Sequence, residues 1–166
     1  MNKKELIEQI KNNFSQVTYP GDEDLTYLPL GFDESFYEAI KGKKWYELKK
    51  DLLIYHHDCI GLLTPNGFHY YLPAFLIEDL KEEGGTKISE MLIIELSMYA
   101  TNDGSPVKGL SGQQWLNDRM KLFSKEQIEV IINFFNFYRI PNELAETIED
   151  IDNIISYFKN RKWENI

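Results

Sequence analysis

Apolar residues recur every three to four positions along most of the chain, as they do on the buried side of an amphipathic α-helix. Such stripes lie within residues 3–14, 44–60, 88–96 and 126–138, and a last one runs from residue 144 to 158. Each of them is expected to be one helix. No stretch shows the sustained two-residue alternation that is typical of a half-buried β-strand. The pattern therefore predicts an all-α fold, a compact bundle of about six to seven helices.

The stretch 65–80 is apolar on almost every side, which predicts a helix that is buried all round. Thr64 is expected to cap its N-terminus. Pro65 then takes the first helical position, where a missing amide hydrogen is harmless. Pro73 lies in the middle of the same stretch. Its ring opposes the carbonyl of His69, four residues back, so a kink or a break of the helix is expected there.

Helix boundaries elsewhere are indicated by capping residues and by glycine or proline. Ser124 and Gln127 have the spacing of a capping box, which predicts the start of an apolar helix that is expected to be central. Asp33 is expected to cap a short helix. Residues 25–32 contain a proline and a glycine and predict an irregular crossing. Residues 101–114 predict the longest loop.

The chain has 166 residues, of which 43% are hydrophobic and 27% are charged. This length and composition predict a single helical domain over residues 1–166 with one substantial core. The only cysteine, Cys59, excludes an intramolecular disulfide and a four-cysteine zinc site. The apolar runs are too short for a transmembrane span, so no membrane association is expected. The N-terminus lacks the pattern of a signal peptide, and a cytoplasmic location is therefore predicted.

Acidic residues outnumber basic residues 27 to 18, which gives a formal net charge of −9. Nucleic-acid binding is not expected, because the neutralisation of phosphates requires a basic face. Residues 19–38 contain six acids and neither lysine nor arginine, and a second acidic stripe lies within residues 143–152. Two such surfaces favour a cationic protein partner through electrostatic steering. The residues that are predicted to contact this partner are Asp22, Glu23, Asp24, Glu34, Glu38, Glu146, Glu149 and Asp150.

All three histidines lie within fourteen residues of one another, close to an aspartate and the cysteine. His56, His57, Asp58 and His69 are the side chains that a metal-dependent hydrolase would use, and they define the alternative function. Their spacing matches no standard zinc pattern, and no second rigid element supplies a pair of ligands. Cys59 lies one helical turn from His56, but its apolar setting favours a buried packing role. No catalytic residue, metal or cofactor is therefore predicted.

Three blocks of sequence carry a family resemblance. They are Tyr-Pro-Gly-Asp at residues 19–22, Gly-Lys-Lys-Trp-Tyr-Glu-Leu at 42–48, and the block Leu-Leu-Thr-Pro-Asn-Gly-Phe-His-Tyr-Tyr-Leu-Pro-Ala-Phe-Leu at 62–76. Together with Phe-Ser-Lys-Glu-Gln at 123–127, they resemble an uncharacterised bacterial family of unknown function over residues 14–138. The resemblance implies no catalytic residues. By analogy with small acidic bacterial proteins of this sort, the functional hypothesis is a non-enzymatic immunity protein that neutralises a cationic toxin.

Overall fold

The computed structural model of the chain describes residues 2–27, 34–82, 86–101, 111–139 and 145–160. Within these ranges the chain is a compact helical bundle without β-strands, which confirms the predicted all-α class. Its eight α-helices are α1 (Lys3–Phe14), α2 (Glu34–Ile40), α3 (Lys50–Tyr55), α4 (Pro65–Leu80), α5 (Lys87–Ala100), α6 (Gly112–Met120), α7 (Lys125–Arg139) and α8 (Ala145–Asn160). Three 3-10 turns lie at Asp22–Asp24, Trp45–Glu47 and His57–Leu62.

Helix α4 lies at the centre of the bundle. Twelve of its sixteen residues are buried, and it packs against α1, α3, α5 and α6 as well as against the 45–47 turn. Helix α7, which the sequence pattern places at the centre, instead packs against α1 and α8 and exposes Glu129 and Asn136. The reason is that α4 has no polar side and must be covered all round. None of the helices in the described part of the chain is long and apolar enough to cross a membrane.

The N-terminus of α4 has the predicted cap. The hydroxyl oxygen of Thr64 accepts a hydrogen bond from the amide of Gly67 at 3.0 Å, and Pro65 takes the first helical position. The helix continues without interruption past Pro73, so the expected break is absent. The proline removes one amide donor, and the burial of α4 against its neighbours outweighs that loss.

The predicted capping box at the start of α7 is also confirmed. The amide of Gln127 donates to the hydroxyl of Ser124 at 3.2 Å, and the amide of Ser124 donates to Oε1 of Gln127 at 3.0 Å. The side chain of Gln127 extends further, because its Nε2 donates to the carbonyl of Asn13 at 3.0 Å. One buried glutamine therefore begins α7 and joins it to the end of α1.

The prediction of a single helix over residues 44–60 is wrong. The structure has a 3-10 turn, the short helix α3 and a second 3-10 turn in this stretch. Helix α3 ends at Tyr55 because the backbone of His56 leaves the helical region, with φ −106° and ψ 30°. The ring nitrogen Nδ1 of His57 lies 2.9 Å from the carbonyl oxygen of Ile54, so a side chain satisfies a carbonyl of the last turn.

The irregular crossing that is expected near residues 25–32 is seen only at its start. Thr26 forms an isolated antiparallel bridge with Leu63, and the amide of Thr64 donates to the carbonyl of Leu25 at 2.9 Å. Residues 28–33, with the expected helix cap Asp33, lie outside the described residues. The crossing therefore begins as extended chain beside the start of α4.

The loop that is expected over residues 101–114 ends earlier than predicted. Helix α6 begins at Gly112, because Ser111 and Gln114 form a second capping box with hydrogen bonds of 3.0 and 3.2 Å. Residues 102–110 lie outside the described residues. The last four residues of the expected loop, 111–114, are thus the cap and the first turn of α6.

A fully buried carboxylate joins three helices. Asp79, near the end of α4, accepts hydrogen bonds from the amides of Thr86 at 2.8 Å and Ser89 at 3.2 Å, which are the cap and the first turn of α5. The hydroxyl of Tyr138 on α7 donates to the second carboxylate oxygen of Asp79. Burial, together with this carboxylate, raises the pKa of Tyr138, so its hydroxyl keeps its proton. Asp79 thus fixes α5 and α7 against α4.

Replacement of Asp79 should be strongly destabilising. In Asp79→Ala the buried donors of Thr86, Ser89 and Tyr138 lose their acceptor, so we expect a loss of about 3–5 kcal/mol in the free energy of unfolding. The measurement is urea-induced unfolding followed by circular dichroism. The control is Asp118→Ala, which removes only an exposed ion pair with Lys121 and should cost less than about 1 kcal/mol. Equal losses in the two variants would contradict this role of Asp79.

Candidate functional site

Two of the three aspartates of the first acidic segment, Asp22 and Asp24, have structural partners, and the third, Asp33, lies outside the described residues. Oδ1 of Asp22 accepts the amide of Gly42 at 2.9 Å and also the hydroxyl of Tyr19. Oδ2 of Asp24 accepts from Nδ2 of Asn66, in the first turn of α4, at 2.6 Å. These carboxylates fix the 22–24 turn to the residues that follow α2 and to the start of α4. They are held in place by the fold, which leaves less of their hydrogen-bonding capacity for a partner.

The three glutamates of the same segment face solvent. Glu23 and Glu34 are exposed, and neither takes part in an ion pair with another described residue. Glu38 is exposed as well and accepts from the ammonium group of Lys41, one helical turn away, at 2.6 Å. Such an exposed pair is weak and is readily rearranged. The accessible negative charge of this segment is therefore carried by its glutamates together with the exposed, hydrogen-bonded Asp22.

The second acidic stripe lies on α8. Glu149 is exposed, whereas Asp150 is half-buried and accepts the hydroxyl of Ser97 on α5 at 2.7 Å. The side chain of Glu146 lies outside the described residues. The second stripe therefore resembles the first segment. Its aspartate, Asp150, joins two helices through a hydrogen bond, and its glutamate Glu149 lies at the surface.

The histidines do not converge. His56 is buried, with its ring 5.2 Å from that of Phe36 and its Nδ1 3.9 Å from the sulfur of Cys59. Nε2 of His69, on α4, lies 2.9 Å from Oε1 of Gln127, on α7. The ring of His57 is engaged with a backbone carbonyl of α3. Within the described ranges, no three histidine, cysteine, aspartate or glutamate side chains are placed to hold a metal ion.

The half-buried ring of His69 has a defined hydrogen-bonding role. Oε1 of Gln127 already accepts the amide of Ser124, and a carbonyl oxygen has no proton to donate, so Nε2 of His69 must carry the hydrogen. Burial lowers the pKa of His69, which keeps the ring neutral. His69 therefore acts as a hydrogen-bond donor to the cap of α7.

A fully buried arginine is the most unusual group that the sequence analysis missed. The guanidinium of Arg119, on α6, donates to the carbonyl of Trp115 at 3.1 Å and to the carbonyl of Leu63, and it stacks on the Trp115 ring at 3.5 Å. Two nearby nitrogen atoms, Nε of Arg119 and Nε1 of Trp115, have no hydrogen-bond acceptor in the part of the chain that the structure describes. Burial lowers the pKa of Arg119 to about 10, so the group is still charged at neutral pH.

The second missed group is Glu95 on α5. Its carboxylate lies against Gly61. A Cβ atom added at Gly61 would lie only 2.9 Å from Oε1 of Glu95. Burial raises the pKa of Glu95 to about 8, the nearby charge of Arg119 opposes the shift, and the charge of Asp58 adds to it. Glu95 is thus a carboxyl group that holds a proton near neutral pH, a property that general acids share. In the sequence, Glu95 is the one carboxylate within the apolar run from Met91 to Met98. The polar side of an amphipathic helix accounts for that position equally well, so the sequence alone does not single it out.

The raised pKa of Glu95 predicts a pH-dependent stability. The unfolded chain loses the proton near the ordinary value of 4.5 and the folded chain near 8, so between these values the folded state binds more protons. The contribution of Glu95 to the free energy of unfolding is complete below pH 4.5 and is lost as the pH rises to 8. Glu95→Gln should therefore be more stable than the parent at pH 9 by up to about 5 kcal/mol, with little difference at pH 4.5.

The measurement is urea-induced unfolding of both proteins across this pH range. Glu90→Gln, an exposed position on the same helix, is the matched control and should leave the pH profile unchanged. A Glu95→Gln profile parallel to that of the parent would show that Glu95 titrates normally.

The comparisons with known proteins identify a family and nothing more specific. No curated protein and no solved structure matches the chain. The sequence model of one family, described as a family of unknown function (DUF6714), matches residues 2–162. This agrees with the resemblance that the 19–22, 42–48 and 62–76 blocks indicate. The chain belongs to DUF6714.

Proposed function

We propose that the protein is a non-enzymatic binding protein whose partner is a cationic protein, and most concretely a bacterial, cytoplasmic immunity protein that neutralises a cationic toxin. The observation that carries the proposal is the division of the acidic segments into anchored aspartates and exposed glutamates. Asp22 and Asp24 fix the backbone of the first segment. Glu23 and Glu34 extend from that segment into solvent.

This arrangement suits the recognition of a charged surface. Binding costs less when the contacting groups are already ordered, and the hydrogen bonds of Asp22 and Asp24 supply that order for the 22–24 turn. The net charge of −9 adds long-range attraction for a cationic partner and accelerates its encounter. Tyr46 and Tyr55 support a binding role, because they are 61% and 76% exposed and tyrosine is enriched among residues that dominate binding energy.

The alternative, a metal-dependent hydrolase that uses His56, His57, Asp58 and His69, gains no support from the geometry. His57 contacts a backbone carbonyl through Nδ1 and His69 contacts Gln127 through Nε2, so the two rings have different partners. Among the described residues, no three histidine, cysteine, aspartate or glutamate side chains are placed to hold a metal ion. We therefore argue only for the binding protein.

Charge reversal at the exposed glutamates should weaken the complex. The experiment is co-purification with the product of a neighbouring gene, followed by calorimetry on the complex. Glu23→Lys, Glu34→Lys and Glu149→Lys together should reduce affinity at least about 100-fold and flatten its salt dependence, because three charges in or near the interface change sign. Asp22, Asp24 and Asp150 stay unchanged because they hold the fold.

The matched control reverses three acids elsewhere on the surface, Glu90, Asp118 and Glu129, and so changes the net charge by the same amount. This variant should lose some association rate while keeping most of the affinity. If both variants bound as the parent does, the electrostatic proposal would be wrong. If both lost the same affinity, net charge alone would account for binding and the assignment to these glutamates would be wrong.

A further inference from the structure

A half-open cavity of about 290 Å³ lies where α1, the 45–47 turn and α4 meet. Its apolar walls are the side chains of Trp45, Leu48, Ala74 and Ile77. The polar residues that line it are Lys11, Tyr46, Glu78 and Lys81. An apolar cleft with a few charged groups at its edge is the usual form of a small-molecule site.

The cavity exists because a small side chain faces a large one across α4 and the turn. Ala74 is almost fully buried, yet its single methyl group leaves space next to the indole of Trp45. Tyr46 does not fill this space. Its ring contacts the edge of Trp45, with centroids 5.4 Å apart, and remains 61% exposed. The four apolar wall residues are themselves only 3–7% exposed, so a ligand gains free energy chiefly by moving its own apolar surface out of water.

Lysines outnumber glutamates among the residues that line this edge, and each of these lysines is paired with one glutamate. The chain carries 27 acids and 18 bases, whereas the cavity is lined by two lysines and one glutamate. The ammonium group of Lys11 donates to Glu8 at 2.8 Å, and that of Lys81 donates to Glu78. Each ammonium group has three donors, so both retain donors for a further acceptor. The Lys11–Glu8 pair is exposed on both sides, so rearranging it costs little. Glu78 is only 14% exposed, so Lys81 keeps that pair and uses one of its remaining donors.

From this geometry we propose that the cavity binds a small organic carboxylate with a bicyclic aromatic or branched aliphatic body. The body lies against Trp45, Ala74 and Ile77, and the carboxylate accepts from Lys11 and Lys81. The size fits, because a protein cavity of about 150 Å³ holds benzene and this one is about twice as large. The site is independent of the acidic segments, and the proposal does not rest on the proposed function.

The probe is 2-naphthoate, with 2-naphthamide as the neutral analogue of the same shape. We expect isothermal titration calorimetry to give a dissociation constant below about 1 mM for the carboxylate. The amide should bind at least tenfold more weakly. Two-dimensional NMR should show the largest shifts at Trp45, Ala74 and Ile77. No binding at millimolar naphthoate, or equal affinity for the amide, would overturn the proposal.

Two variants separate the charged edge from the apolar walls. Lys11→Gln with Lys81→Gln should weaken naphthoate about tenfold and leave the amide unchanged. The control is Lys121→Gln, because Lys121 forms the same kind of exposed pair, with Asp118 at 2.8 Å, on α6. It should bind naphthoate as the parent does.

Ala74→Leu fills the cavity and should abolish binding of both probes. Because Ala74 is buried, the fold of this variant is checked by thermal unfolding, and the exposed lysine variants test the site even if it unfolds. Full naphthoate affinity in the double lysine variant, or a loss in Lys121→Gln that matches it, would show that the assigned lysines do not bind the carboxylate.

Discussion

A helix that has no polar side must be enclosed, and α4 imposes that requirement on the whole bundle. Phe68, Tyr71 and Phe75 are completely buried on this helix, and α1, α3, α5 and α6 all pack against it. The helices around α4 need only one apolar side each, which leaves their outer sides free to carry charge. The acidic exterior and the apolar centre are therefore two consequences of the same arrangement.

Enclosure also takes polar groups out of water, and each of them then needs a partner. Asp79 accepts hydrogen bonds from amides at the start of α5 and from the hydroxyl of Tyr138. Gln127 joins the start of α7 to α1 and to His69. Arg119 binds the backbone carbonyl that lies just before α4. Each contact is directional, so together they fix how the outer helices are placed around α4, which apolar packing alone specifies less sharply.

The features that could be predicted from sequence depend on residues close together in the chain. The cap of α4 at Thr64 and the capping box of Ser124 and Gln127 span only four residues, and both are found as predicted. Ser111 and Gln114 have the same spacing, but they follow a stretch rich in glycine and serine that is typical of a loop. In these cases the capping residues are visible in the sequence. The prediction depends on whether the capping pattern or the loop-like composition of the neighbouring residues is given more importance.

The two ionisable groups that the packed helices cover could not be predicted in this way. Glu95 and Arg119 lie 24 positions apart, and their pKa values are set by how much water the packed helices exclude. Hydropathy patterns show which side of a helix is apolar, and they do not show which polar side chain the neighbouring helix will cover. The histidines illustrate the converse, since they are close in sequence and yet bind separate partners in the fold.

The same distinction between local and long-range effects governs the acidic surface. Asp22, Asp24 and Asp150 accept hydrogen bonds from donors that lie 20, 42 and 53 positions away in the sequence, so these aspartates become part of the fold. A hydrogen-bonded carboxylate still carries its charge, and its field reaches as far into solvent as screening allows. In the proposed complex, all of the acids contribute to the long-range attraction of the partner. The exposed glutamates are placed for direct contact, whereas Asp22, which is also exposed, already accepts two hydrogen bonds. We therefore expect steering to depend on all of these acids and complex lifetime mainly on the glutamates.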